Sequence, residues 1–576
     1  MGKKCSDTDQ KSVADILIDI GLANIKTSFI DQYGEPFVQT NEGRILPINS
    51  KDFHTWLGSL YFASERKGLD RNSYQTACET LSAYATYQGA GKIELHYRVA
   101  WHDNALWYDL GDTENRAVKI TANGWETINE VPILFRRYGN QAPQIEPTRG
   151  GDVSEFLIFV NVTDNNTKLL LLVWLIASFI PDFPHVILIV SGSQGAAKSS
   201  CCRYSKRVID PGVVLTESMP NEKKDLAKTL NNQWFSAFDN LNTLSQQQSD
   251  SLCRAVTKDG FKERKLYTNN DEFILNYQRI ISLNGINLCA QSPDILDRSI
   301  IVELDRIPSE QRKPEDVLNE EFTKALPGIL GGIFSVLSKA IALRPKLESK
   351  LKNFPRMADF AKWGYVIAEA LGGYGEEFLN AYNLNMRRQH EAVIDSHLVA
   401  QALVEFMGDK EQWQGFAMDL LKELTAIAER MEINTDVYPW PQQPNQLTKI
   451  INKLKATLKE AGIMEIDHKH TSFGNLTMIF KPRSTMKVMK VDEDGNDLSK
   501  SSPEAIPEGN EGNEGAFSKK NGKEIREKYI EDRKNTFITF TPSSDMDSSG
   551  FMDEGEYEDS QPMPKEPSLE VDYEVF

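Results

Sequence analysis

Between residues 150 and 310, short and almost wholly apolar runs alternate with amphipathic stretches. VILIV (186–190), WFSAF (234–238), IISL (280–283) and SIIVEL (299–304) leave no polar face, as expected of strands covered on both sides of a parallel sheet. The helical stretches between them predict βαβ units. Upstream, FHTWLGSLYFASERKGL (53–69) and a stretch around 72–88 read as helices. Strand-like IELHYRVAWHD, ALWYDLG and RAVKITANGW follow, with GDTEN (111–115) as a turn. LLLLVWLIASFI (169–180) is followed by Pro181 and Pro184. It is too short to span a bilayer and predicts a buried helix feeding the next strand, so no membrane partner is expected. Residues 311–395 read as helical, including LPGILGGIFSVLSKAIAL. Residues 396–485 read as two or three helices and then short strands.

Pro132, Pro143 and Pro147, with Gly150-Gly151, suggest a boundary near 150. The expected organisation is an α+β N-terminal domain (1–150), an α/β core (151–310), a helical segment (311–395), a small C-terminal domain (396–485) and a tail (486–576). The tail is rich in Ser, Gly, Pro, Asn and acidic residues, which predicts disorder. Charge sharpens this division. Residues 491–576 carry 23 acidic and 9 basic side chains, so −14 of the net −18 lies there and the remainder is nearly neutral at −4. The folded part can therefore hold basic patches. Six cysteines show no metal-binding spacing and read as free thiols in a reducing cytoplasm.

The chemistry begins after VILIV. Gly192, Ser193, Gln194, Gly195, Ala196, Ala197, Lys198, Ser199 and Ser200 follow the strand and open a helix. This is the arrangement of a phosphate-binding loop: glycines let backbone N–H groups turn inward, Lys198 reaches the β/γ-phosphates, and Ser199 ligates Mg²⁺. The following helix points its positive end at the same anion. The cofactors expected are ATP and Mg²⁺. Ala197 replaces the usual glycine, which is tolerable if that residue has helical dihedrals.

Asp239 ends the WFSAF strand, where a carboxylate can hold the metal beside Ser199. Asn240 stands where a second carboxylate could orient water, and Glu217 in LTES is a candidate for that base. Asn284 ends the next strand and could sense a γ-phosphate. Arg298 precedes the last strand and could stabilise charge on the nucleotide of a neighbouring subunit. Between Asp239 and Asn284, residues 252–273 contain a Lys-Asp-Gly turn signal with Lys262, Arg264, Lys265, Phe261 and Tyr267. Basic and aromatic side chains together suit a single-stranded backbone with stackable bases.

The order Lys198, Asp239, Asn284, Arg298 resembles Walker A, Walker B, sensor 1 and arginine finger of AAA+ ATPases, and its compact spacing resembles superfamily III helicases. HYRVAWHDNALWYDLGD and AVKITANGW resemble the segment ahead of the helicase half of phage and plasmid primase-helicases, here without room for a primase domain. The GxxGxAKS loop is also similar to that of minichromosome-maintenance helicases. The resemblance implies a P-loop AAA+ core, a ring, in particular a hexamer, on single-stranded or forked DNA, a pore hairpin at 252–273, and a home on a phage, plasmid or integrated element in a bacterial, archaeal or phage-infected cell.

The C-terminal domain has winged-helix grammar: a helix after Pro444 with Leu447, Ile450, Ile451, Leu454 and Leu458 on one face, and two strands flanking SFGN. Lys449 and Lys453 lie mostly away from that face and could contact phosphates. His468 and His470 read as wing residues. The tail, ending EVDYEVF, could aid solubility, compete with DNA, or dock replication proteins. Two functions from different classes follow: a DNA helicase or translocase driven by ATP, and a DNA-binding initiator or scaffold that uses ATP as an assembly switch without unwinding. An ATPase acting on a protein in defence or packaging is a third.

Overall fold

The computed structural model describes residues 11–258, 261–264, 272–275, 277–285, 292–347, 355–436, 440–471 and 474–481. Lys265 and the tail at 486–576 lie outside them.

The chain opens with α1 (Val13–Asn24), β1 (Ile25–Ile30), β2 (Pro36–Thr40), β3 (Ile45–Pro47), α2 (Lys51–Glu65) and α3 (Arg71–Tyr87). The three strands form an antiparallel sheet, and Leu17, Val38, Phe53, Leu57 and Leu81 make a small core of their own. Next come β4 (Leu95–His96), β5 (Val99–His102), β6 (Ala105–Asp109), β7 (Ala117–Thr121), β8 (Gly124–Ile128) and β9 (Leu134–Phe135). β5 to β8 form a meander, and their Val99, Leu106, Tyr108, Val118 and Ile120 join the main core of the molecule.

The packing therefore runs across residue 150. The Pro/Gly stretch there is laced onto a later helix: Thr148 N donates to Pro327 O at 2.9 Å, and a Cβ on Gly151 would stand 2.1 Å from Gly328 O. Only glycine allows that approach. Its composition resembles that of a linker because close backbone contact and linkers both favour glycine.

A 3-10 helix (Val153–Phe159) leads to α4 (Asn165–Ala177). Every residue from Leu169 to Ala177 is buried. An all-round apolar helix must be enclosed, and α4 is, packing against the central sheet and later helices.

That sheet is made of β10 (Ile187–Gly192), β11 (Phe235–Leu241), β14 (Ile280–Gly285) and β15 (Ser299–Leu304). All pairings are parallel, in the order β11-β14-β10-β15. Between β10 and β14 run α5 (Lys198–Ile209), α6 (Lys223–Asn231), α7 (Gln246–Val256) and the strands β12 (Phe261–Arg264) and β13 (Glu272–Leu275), and the short α8 (Pro293–Leu296) precedes β15. Successive residues of β10 serve two cores: Leu188 and Val190 face the main one, Ile187 and Ile189 a second beneath α6 and α7. The class is α/β with a parallel sheet, as the apolar runs predicted. Glu217 forms an isolated parallel bridge with Phe238 of β11. β12 and β13 pair antiparallel, which places Lys262 and Arg264 on one strand of a hairpin.

Three helices follow: α9 (Glu315–Leu347), α10 (Ala358–Gly372) and α11 (Gly375–Ser396). One stretch of α9 is long and apolar enough to cross a bilayer. Its Phe322, Leu326, Ile329, Ile333, Phe334 and Leu337 are instead buried in the main core. The C-terminal module is α12 (Leu398–Phe406), β16 (Gln412–Phe416), α13 (Ala417–Arg430), α14 (Pro444–Glu460), β17 (Glu465–Thr471) and β18 (Gly474–Phe480), with strand order β16-β18-β17. β16 was not among the expected elements. Its burial alternates between exposed and half-buried, so QWQGF carries no apolar run to betray it.

Candidate functional site

β10 delivers its C-terminal end to a loop, residues 193–197, that opens α5. Gly192 has φ +142°, and a Cβ there would stand 2.5 Å from Leu304 O, so the next strand presses against the loop backbone. Gly195 has φ +84°. Ser193, Gln194 and Gly195 are exposed, Ala196 is buried, and Ala197, Ser199 and Ser200 are half-buried at the start of α5. Lys198 Nζ donates to Gly192 O (2.8 Å) and Ser193 O (3.0 Å). Its ammonium thus lies over the loop it would share with a phosphate.

The expectation for Ala197 needs correcting. Its dihedrals are φ 61°, ψ 33°, in the left-handed region, not helical. A Cβ in that region costs roughly 1–2 kcal/mol. The turn from β10 into α5 demands it, and the residue that usually stands there has no Cβ to object.

Three side chains meet beside the loop. Ser199 Oγ donates to Asp239 Oδ1 at 3.1 Å. Asn284 Nδ2 donates to the same oxygen and lies 3.2 Å from Ser199 Oγ. Asn240 N closes on Asp239 Oδ1 at 2.7 Å. The sheet order explains the convergence: β14 lies between β10 and β11, with Val190 opposite Asn284 and Phe238 opposite Leu283. A hydroxyl and a carboxylate side by side form a hard oxygen donor set, suited to Mg²⁺.

Two expected residues lie elsewhere. Arg298 O accepts from Ile187 N at 2.8 Å, which sets Arg298 level with the first residue of β10. At ~3.3 Å per residue it is about 16 Å from its own loop, at the opposite edge of the sheet. Its guanidinium bonds Asp294, which also pairs with Arg356 at 2.8 Å. Glu217 lies beside β11, but its carboxylate accepts from Gln233 Nε2 at 2.8 Å. Asn240 has φ +57° and is exposed. On α14, Lys449 and Lys453 are exposed, while Lys455 pairs with Asp467 and Lys459 with Glu465. His468 Nε2 bonds Asn452 Oδ1 at 2.9 Å, and no cluster of three metal-ligating side chains occurs among the described residues.

The foot of α5 was not foreseen. Asp210 accepts from Arg98 Nε (2.9 Å), Lys206 Nζ (2.9 Å), Trp234 N (3.0 Å) and Phe235 N (3.1 Å). All three charged groups are buried. Burial alone would raise the Asp210 carboxyl, but Lys206 and Arg98 hold it well below the ordinary carboxylate range. Arg98 also bonds Asp109 O and Ala142 O, tying the meander to the loop helix and to the start of β11. Lys206 and Asp210 lie four residues apart at the end of α5, but Arg98 comes from a remote segment and nothing in the sequence signalled that it joins them. A second feature gave no signal either: Arg312 Nη2 lies 3.1 Å from where a Cβ on Gly195 would stand.

Comparisons with known proteins match parts of the chain. Residues 153–386 match the family model described as actinomycete integrative conjugative element replication protein, and 399–489 match that of the AICE RepA C-terminal domain. No curated protein matches. Apo structures of the NrS-1 C-terminal region are 11–12% identical, with 82% of this chain and 100% of theirs covered and a TM-score of 0.37. The two family matches adjoin, follow the order of core and C-terminal module, and together take in more than half of the 576 residues. In family and in order, the two matches are those of a replication protein of a conjugative element.

Proposed function

We propose that the chain is a Mg²⁺-dependent ATPase of the superfamily III/AAA+ type, which assembles as a ring, a hexamer, and moves on a single DNA strand as a replicative helicase. The observation that carries this reading is the meeting of Ser199, Asp239 and Asn284 beside the loop at 192–199. Lys198, now held by two loop carbonyls, would exchange them for phosphate oxygens. Ser199 and Asp239 would hold Mg²⁺, which neutralises phosphate charge when bound. Asn284, buried and already donating into the cluster, would report whether the γ-phosphate is present. Arg298 lies too far from its own loop to serve it, which fits action on a neighbouring subunit. The strand order of the C-terminal module and the exposed Lys449 and Lys453 fit a winged helix on a phosphate backbone.

The test is phosphate release with and without single-stranded DNA, beside Lys198→Ala, and strand separation on a forked duplex. DNA-stimulated turnover with unwinding is the expected result. Turnover no higher than that of Lys198→Ala would sink the motor reading. One observation favours a second reading, an initiator that uses ATP as an assembly switch. Asn240, not a carboxylate, follows Asp239 in β11 and the Glu217 carboxylate is turned to Gln233, so neither presents a second carboxylate to activate water. ATP-dependent assembly without strand separation would support it.

A further inference from the structure

After β15 the chain does not leave the site. It crosses the phosphate loop as a strap, residues 305–315, secured at three places. At its base, Asn161 Nδ2 donates to Asp305 O at 2.6 Å and Asp305 N to Asn161 O at 3.2 Å. In the middle, Ile307 N reaches Gly195 O at 3.4 Å. At the far end, Glu315 pairs with Arg203 of α5 at 3.0 Å. Within this strap a turn of 3-10 helix (Ser309–Gln311) brings Arg312 back over the loop. Arg312 Nε bonds Ile307 O at 3.3 Å, which orients the guanidinium. Its Nη2 stands over Gly195, whose φ of +84° and missing Cβ leave the loop open on that side.

Arg312 is exposed, and no carboxylate lies within ion-pair distance of it among the described residues. Lys198, on the same loop, is likewise bonded only to carbonyls. Two cations brought to one loop without a counter-charge repel each other unless an anion joins them. The planar fork of arginine fits phosphate oxygens as a pair of donors.

We infer that Arg312 is a substrate-contacting residue of this site, reaching the terminal phosphate of a bound nucleoside triphosphate from the strap side, opposite Lys198. The inference rests on the nucleotide-binding reading above. It assigns to this chain a cation for its own nucleotide, separate from Arg298 at the other edge of the sheet. It also gives the strap a purpose: a diphosphate would lose the contact, so Arg312 favours triphosphate over diphosphate.

The experiment is equilibrium binding of Mg-ATP and Mg-ADP by calorimetry to the full chain, with Arg312→Ala, Arg312→Lys and Lys198→Ala. Arg312 is exposed, and matched melting curves confirm that its variants fold. Arg312→Ala should weaken ATP by about tenfold, the loss of one charge-assisted hydrogen-bond pair, and change ADP much less. Arg312→Lys should recover part of the difference. Arg312→Ala with wild-type affinity for both nucleotides, while Lys198→Ala loses them, overturns the Arg312 assignment alone. An equal loss of ATP and ADP overturns its terminal-phosphate role. A wild-type chain that binds neither nucleotide overturns the nucleotide site and this inference with it.

Discussion

Ser199 Oγ lies 3.1 Å from Asp239 Oδ1. One residue lies in the first turn of a helix and the other near the end of a strand two places away in the sheet; they meet because β10 and β11 run parallel and finish at the same edge. If this pair holds the metal, Asp239→Asn keeps ATP in the loop through Lys198 but loses turnover. The expected fall is about 100-fold or more, the order seen when a preorganised charge is removed. Phosphate release at saturating Mg-ATP measures it, and near-normal turnover would detach Asp239 from the site.

The left-handed backbone of Ala197 yields a second prediction. Ala197→Gly removes the Cβ penalty but frees the unfolded chain, so melting should stay level or rise, with a net gain of about 1 kcal/mol or less. Ala197→Val places a branched side chain in the same region and should lower the melting temperature. A valine variant as stable as the wild type would contradict the positive φ.

Arg298 sits at the opposite edge of the sheet from its own loop and is held by Asp294. Arg298→Ala should abolish turnover yet leave ATP binding intact. Mixed with Lys198→Ala chains, it should regain partial activity, because each inactive chain supplies what the other lacks. No recovery on mixing would remove the role in a neighbouring subunit.

The Arg98–Asp210–Lys206 cluster predicts a stability effect. Asp210→Ala leaves two buried cations without their carboxylate. Removing one partner of a buried pair costs about 3–5 kcal/mol. Urea unfolding followed by tryptophan fluorescence should show a loss of that order, and an unchanged midpoint would show that the cluster adds nothing. The cluster was not legible in the sequence, because Arg98, Lys206 and Asp210 carry no common pattern until the meander packs on α5.

His185 supplies the pH dependence. Burial pushes its imidazole from the ordinary 6.5 down to about 3, and its Nε2 has no hydrogen-bond partner among the described residues. The folded chain then binds fewer protons there than the unfolded one, so its stability is full above 6.5 and falls as pH drops toward 3. At ~1.4 kcal/mol per pH unit, about 2 kcal/mol is lost by pH 5. His185→Phe keeps a ring between Phe183 and Trp234 and should flatten the fall in melting temperature between pH 7 and 5. His96 and His397, also lowered by burial, leave a residual slope. An identical slope in the variant would place the titration elsewhere.

Local features were legible in the order of residues. Unbroken apolar runs specify strands covered on both faces, the small-residue loop after VILIV specifies a turn into a helix, and Leu169–Ala177 specifies an enclosed helix, because each follows from neighbouring side chains and backbone sterics. Asp239 and Asn284 were legible for the same reason, as polar residues ending apolar runs. The remaining features depend on contacts between distant segments. Strand pairing set β14 between β10 and β11 and so brought Asn284 to Asp239. The turn into α5, with Leu304 O pressed against Gly192, forced Ala197 into the left-handed region. Glu217 lay near the right strand in sequence, but its carboxylate found Gln233 first. Arg312 stands in a polar stretch with no periodic signal, and only the path of the chain back across the loop brings it to Gly195.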